Sequence, residues 1–111
     1  MIFRSLIAMV AAGLMLGLLV GSAGAGDASA GRQKARKCQP CHGIDGIARL
    51  PSAPHIAGEN TVYLSTQHKA FRSGKRVHEI MSLIAKDLTD EDIADLAAWY
   101  ASIRITVEVP E

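Results

Sequence analysis

Cys38-Gln39-Pro40-Cys41-His42 is the stretch on which the reading of this chain turns. Its two cysteines are the only ones in 111 residues, and a histidine follows the second directly. A C-x-x-C pair serves several chemistries. A structural zinc site needs four ligands, and two more at finger-like spacing are missing. A thioredoxin-like redox pair lies beside a strand–helix unit, and no strand pattern precedes Cys38. A simple disulfide is compatible with an exported protein. The adjoining His42 shifts the balance, because C-x-x-C-H is the attachment sequence of c-type haem. The spacing has a physical purpose: two thioether bonds from Cys38 and Cys41 fix the porphyrin edge to the chain, and the next side chain then reaches the iron from one face.

A six-coordinate haem needs a second axial ligand, and methionine opposite histidine raises the reduction potential. Of the four methionines, Met1, Met9 and Met15 fall in the first 15 residues, which leaves Met81. The competing role for Met81 is packing, since Ile80, Leu83, Ile84 and Leu88 surround it at helical spacing. With a haem present and no other thioether, Met81 is the expected ligand. Three histidines compete with it: His55 in a proline-rich loop, His68 on an expected helix, and His78 three residues before Met81, the best placed of the three. Each is more often a packing or surface residue, and His68 is expected to be partly exposed.

Outward from the motif, residues 1–25 read as a cleaved secretory signal. Arg4 is their only charge, Leu6 to Val20 is an apolar run, and Ala23-Gly24-Ala25 fits a small-x-small cleavage site. The run is shorter than the ~20 residues that span a bilayer comfortably. Residues 26–111 are then a single domain in an exported, periplasmic protein. The net charge of +1 excludes a strongly basic nucleic-acid binder, and two cysteines exclude a disulfide-dense scaffold. Two Phe, two Tyr and one Trp in the whole chain make a small core, near the size at which domains need a crosslink, metal or cofactor.

The pattern around the motif is helical. Asp27 or Ser29 caps a helix expected to run to Lys37. Residues 43–60 are loop, broken by Gly43, Gly46, Pro51, Pro54 and Gly58. A second helix starts at Asn60 or Thr61, with Tyr63, Leu64, Gln67, Ala70 and Phe71 near one face and Gly74 past its end. A short helix or turn over 79–86 carries Met81. Thr89-Asp90-Glu91-Asp92 resembles a capping box, and Ile93, Leu96, Ala97, Tyr100 and Ile103 follow one stripe. Residues 105–111 form an extended C-terminal arm.

Taken together, Cys38-Gln39-Pro40-Cys41-His42-Gly43, Pro54-His55-Ile56-Ala57-Gly58, Tyr63-Leu64 with Gln67 and Phe71-Arg72-Ser73-Gly74, Met81, and Leu88 to Ala101 resemble class I cytochromes c. The likeness is to the small bacterial monohaem type and to one half of its dihaem relatives, over residues 27 to about 103. It implies an all-α cytochrome c fold of about four to five short helices around one covalently attached haem c. It implies that the first and last helices cross, with Ala30 or Gly31 against Trp99 or Tyr100. It implies His42 and Met81 as axial ligands, and the Pro54 carbonyl as acceptor for the His42 ring N–H. His55 and His68 depart from the usual pattern; a leucine is common at the position of His68.

The function implied is one-electron transfer without catalysis, between redox protein partners that dock briefly. No nucleic acid and no small molecule binds at the iron, and the membrane is met only through partner complexes or an uncleaved leader. The alternative is a haem-bearing subunit of an oxidoreductase complex. Residues 28–76 carry nine basic groups against Asp45 and Glu59, while residues 77–111 carry Lys86 and Arg104 against eight acids. Such a division steers encounters, unless folding mixes the charges on one surface.

Overall fold

The computed structural model describes residues 25–111, and the expected signal peptide lies outside them apart from Ala25. Five α-helices are formed: α1 (Ala28–Lys34), α2 (Gln39–His42), α3 (Thr61–Ser73), α4 (Met81–Lys86) and α5 (Asp90–Ser102). Among the described residues there is no strand, and no helix is long and apolar enough to cross a membrane.

Asp27 is the cap of α1; its carboxylate accepts from the backbone N–H groups of Ser29 and Ala30. The helix is shorter than its sequence pattern. It ends at Lys34 and tightens into a 3-10 turn over Ala35–Lys37 before Cys38. The tighter winding re-aims the chain, and Pro40 opens α2 in a first-turn position where its missing N–H costs nothing.

Crossing of α1 and α5 builds the frame. Gly31 lies directly on α5: a Cβ there would overlap the Asp95 carbonyl and press on the Trp99 Cβ. Around this contact sits a charged clamp. Asp95 is buried (5% exposed); it accepts from the Asp27 backbone N–H at 2.8 Å and from Lys34 Nζ at 2.7 Å. Asp92 pairs with the same ammonium at 2.9 Å. Thr89 and Asp92 close a reciprocal capping box at the start of α5.

The core lies between α5, α3 and α4. Ile93, Leu96, Ala97 and Tyr100 of α5 are buried along the expected stripe, with Leu64 and Phe71 of α3, Ala85 of α4 and Leu88. The face of α3 is rotated from its sequence reading. Tyr63 is 47% exposed, and His68 takes the inner position with Leu64 and Phe71, only 9% exposed. The period explains this, because residues 64, 68 and 71 share one helix face. The expectation of a partly exposed His68 is therefore corrected. At the C-terminus, Ile105 approaches Gly58, whereas Val107 and Val109 stay exposed.

Candidate haem-binding site

The attachment motif is a single turn of helix with strict exits. Cys38 precedes α2, Cys41 and His42 complete it, and Gly43 ends it at φ +73°. A side chain at Gly43 would be strained at that angle and would meet Asp45 and the Ile47 carbonyl. Both cysteines are half-buried free thiols. Burial pushes the Cys38 thiol above its ordinary value, against the weaker pull of Lys37. That is the opposite of the depressed thiol in a nucleophilic redox pair. Among the described residues, no three His, Cys, Asp or Glu side chains gather as a metal cluster.

His42 is buried, with its Nδ1 2.9 Å from the Pro54 carbonyl oxygen. A carbonyl only accepts, so Nδ1 carries the proton and Nε2 keeps its lone pair. Metal-binding histidines are commonly fixed in this way.

The loop that supplies Pro54 is tied to the motif at several points. The Arg49 N–H donates to the Cys41 carbonyl at 2.8 Å, and the Ile56 and Ala57 N–H groups donate to the Gly46 carbonyl. An Asp45–Arg49 ion pair at 3.1 Å braces the turn. The Ile47 N–H, with Arg49 beside it, holds the Asp45 carboxyl below the usual carboxylate range. His55 is part of this bracing: its Nδ1 accepts from the Ala48 N–H at 2.8 Å.

Two residues of α5 hold the other side of the motif. Trp99 Nε1 donates to the Ile44 carbonyl at 2.8 Å, and the buried Tyr100 hydroxyl donates to the Gly43 carbonyl at 3.0 Å. The two carbonyls immediately after His42 are thus pinned by the last helix. Burial, with the Cys38 sulfur beside it, pushes the Tyr100 hydroxyl well above its ordinary value. Neither bond is marked in the sequence as such. The available signal is that a Trp-Tyr pair beside an apolar stripe needs partners for its polar atoms when buried.

Met81 opens α4, partly buried and packed against the core. His78 braces its first turn. The His78 Nδ1 accepts from the Ile80 and Met81 N–H groups at 3.1 and 3.2 Å, while Ser82 Oγ accepts from the His78 N–H at 2.9 Å. His78 thereby serves the helix that presents Met81.

The division of charge along the chain is partly folded together. Lys34 is paired with Asp92 and Asp95, and Arg72 with Asp90. Two cations of the front segment thus meet three carboxylates of the back segment.

The cytochrome c family pattern matches residues 28–104. The chain is 42% identical over 94 residues to cytochrome c4 of Pseudomonas aeruginosa, covering 85% of this chain and 47% of that protein. It is 44% identical over 81 residues to cytochrome c-554(548) of Halomonas halodenitrificans, covering 70% of this chain and 98% of that protein. The crystal structure of reduced recombinant cytochrome c4 from Pseudomonas stutzeri superposes with a TM-score of 0.69 at 34% identity, over 75% of this chain and 48% of that one. The chain spans about half the length of the cytochrome c4 proteins it matches. With its attachment motif, all-helical frame and these relatives, the chain belongs to the cytochrome c family.

Proposed function

We propose that this protein is a one-electron carrier that holds a single haem c through Cys38 and Cys41. The residues present fit that group. Two free thiols stand at thioether spacing, and the adjoining His42 presents an unprotonated Nε2. Large apolar side chains beside both ligand positions in the chain, Ile47 and Leu50 on one side and Ile80 and Leu83 on the other, are exposed in the polypeptide. A large apolar cofactor offers them a partner. The bound haem supplies a reversible ferric–ferrous change.

The chain's residues determine what that change is used for. His42, oriented by the Pro54 carbonyl, and Met81, at the start of α4, would hold the iron of that group. With both side chains on the iron, substrate would have no access to it, and the protein would shuttle electrons without catalysis. Residues 26–111 act as one domain in the periplasm after removal of residues 1–25 near Ala25. Donors and acceptors are redox proteins that dock briefly, in salt-sensitive contacts.

The observation that carries this reading is the His42–Pro54 bond beside two free thiols. Carbon monoxide titration of the reduced holoprotein near neutral pH tests it. No binding on the mixing timescale is expected, whereas rapid stoichiometric binding would show an open iron and sink the carrier assignment. In the Met81→Ala variant the potential should fall, and an unchanged potential would mean that Met81 is not a ligand.

A further inference from the structure

Two imidazoles are buried among the described residues, and they are held alike. His42 and His68 are each 9% exposed. His42 Nδ1 lies 2.9 Å from the Pro54 carbonyl, and His68 Nδ1 lies 2.7 Å from the Leu64 carbonyl. Both rings therefore carry their proton on Nδ1 and keep a lone pair on Nε2. That is the tautomer in which a backbone carbonyl prepares an imidazole to bind a metal. Among the described residues, His68 hydrogen-bonds only through Nδ1. No sealed side-chain nitrogen lacks a partner, so its Nε2 stands open to adjoining space.

Its place in the fold points the same way. His68 is on the face of α3 that buries Leu64 and Phe71. That helix packs on α4, which begins at Met81. Burial holds the His68 ring below its ordinary value, against the opposing pull of the Leu64 carbonyl. A leucine would fill the position without the cost of burying a polar ring.

Resting on the assignment of His42 and Met81 as axial ligands, we propose that His68 is a second iron-binding imidazole, which replaces the Met81 thioether on ferric iron and yields to it on ferrous iron. Ligand softness supplies the drive: imidazole suits the harder ferric ion and thioether the softer ferrous ion. The step balances. One electron leaves the iron for the acceptor protein, the Fe–S bond to Met81 breaks, and a bond to His68 Nε2 forms. No proton moves, because Nε2 is already unprotonated and the Nδ1–H stays on Leu64. Reduction by the donor reverses each change.

The test compares holoproteins of the natural sequence, His68→Leu and His68→Gln by sulfur-to-iron charge-transfer absorption, near-infrared magnetic circular dichroism and cyclic voltammetry. The ferric natural protein should lack the charge-transfer band and show a bis-imidazole signature. Both variants should gain the band at full intensity, and a scan-rate-dependent pair of waves should collapse to one reversible wave. His68→Gln covers the case in which leucine disturbs the pocket. A full-strength ferric band in the natural protein overturns the proposal, as does a band absent from both variants. Rapid stoichiometric carbon monoxide binding to the ferrous natural protein overturns the Met81 assignment and the exchange with it. A full-strength ferric band in the natural protein, with the ferrous form closed to carbon monoxide, overturns the exchange alone.

Discussion

At the scale of single residues, the attachment motif is held by side chains from the far end of the chain. Tyr100 and Trp99 reach from α5 to the carbonyls of Gly43 and Ile44. Removing the hydroxyl in Tyr100→Phe leaves a buried carbonyl without its donor, a loss of about 1–3 kcal/mol. Denaturant unfolding of the holoprotein should show a lower midpoint with an unchanged slope, and an unchanged midpoint would mean that this bond carries no stability. His55 and His78 show where residue chemistry alone stops. Both have the lone pair of a ligand, and the structure spends both on backbone N–H groups, of Ala48 and of Ile80 and Met81 respectively. Which donor a ring meets depends on neighbours seven or fewer residues away, but through loop geometry that no spacing rule encodes.

At the scale of elements, the α1–α5 crossing depends on one missing side chain and one shared ammonium. In Gly31→Ala, the intrinsic helix gain of about 1 kcal/mol is opposed by a clash with the Asp95 backbone, which cannot swing aside. Overpacking of that kind costs about 1–3 kcal/mol. We expect a lower melting temperature, and a variant as stable as the natural protein would contradict the close crossing. The clamp also makes the crossing acid-sensitive. The capping bond to Thr89 and the Lys34 ammonium depress the Asp92 carboxyl to about 2, and the Lys34 hydrogen bond holds Asp95 below its usual range. Groups with depressed folded values stabilise above the unfolded value of 3.8 and lose that contribution as pH falls toward the folded one. Circular dichroism melts should therefore weaken from pH 4 downward, and Lys34→Met should flatten this dependence.

The long helices α3 and α5 are legible in local pattern, through the glycine stop at Gly74, the capping box at Thr89 and the stripe through Tyr100, whereas α1 ends short of its pattern and the one-turn α2 carries no such signal. The inner face of α3 is not legible in this way. Tyr63 looked apolar enough for it and His68 too polar, yet packing against α4 and α5 turned the helix the other way.

At the scale of the whole molecule, the polypeptide core is thin. Among the described residues, Tyr100, Ile93 and Leu96 are the largest fully buried side chains, while Leu83 and Ile80 remain exposed beside Met81. A Cys38→Ala, Cys41→Ala double variant without haem should show greatly reduced helical signal, because a small domain lacks the apolar area to offset its chain entropy. A fully helical variant would show that the polypeptide folds alone. The surface is more evenly charged than the chain order implies, since Lys34 and Arg72 are occupied by Asp90, Asp92 and Asp95. Electron exchange with a partner should accordingly depend on salt less steeply than a full separation of the segments would require, measured as rate against ionic strength.

The family, the attachment chemistry and the helix order lie in short-range features: five contiguous residues, a cap and a 3.6-residue period. Such features act through bonds or through one turn of chain, so they survive in the linear text. Tertiary structure decided the buried Asp95, the bracing carbonyls of Gly43 and Ile44, and the inward turn of His68. These depend on which surfaces meet across 50 or more residues, or on which face of a helix wins a place in the core, and a one-dimensional pattern holds no information on the partner's shape.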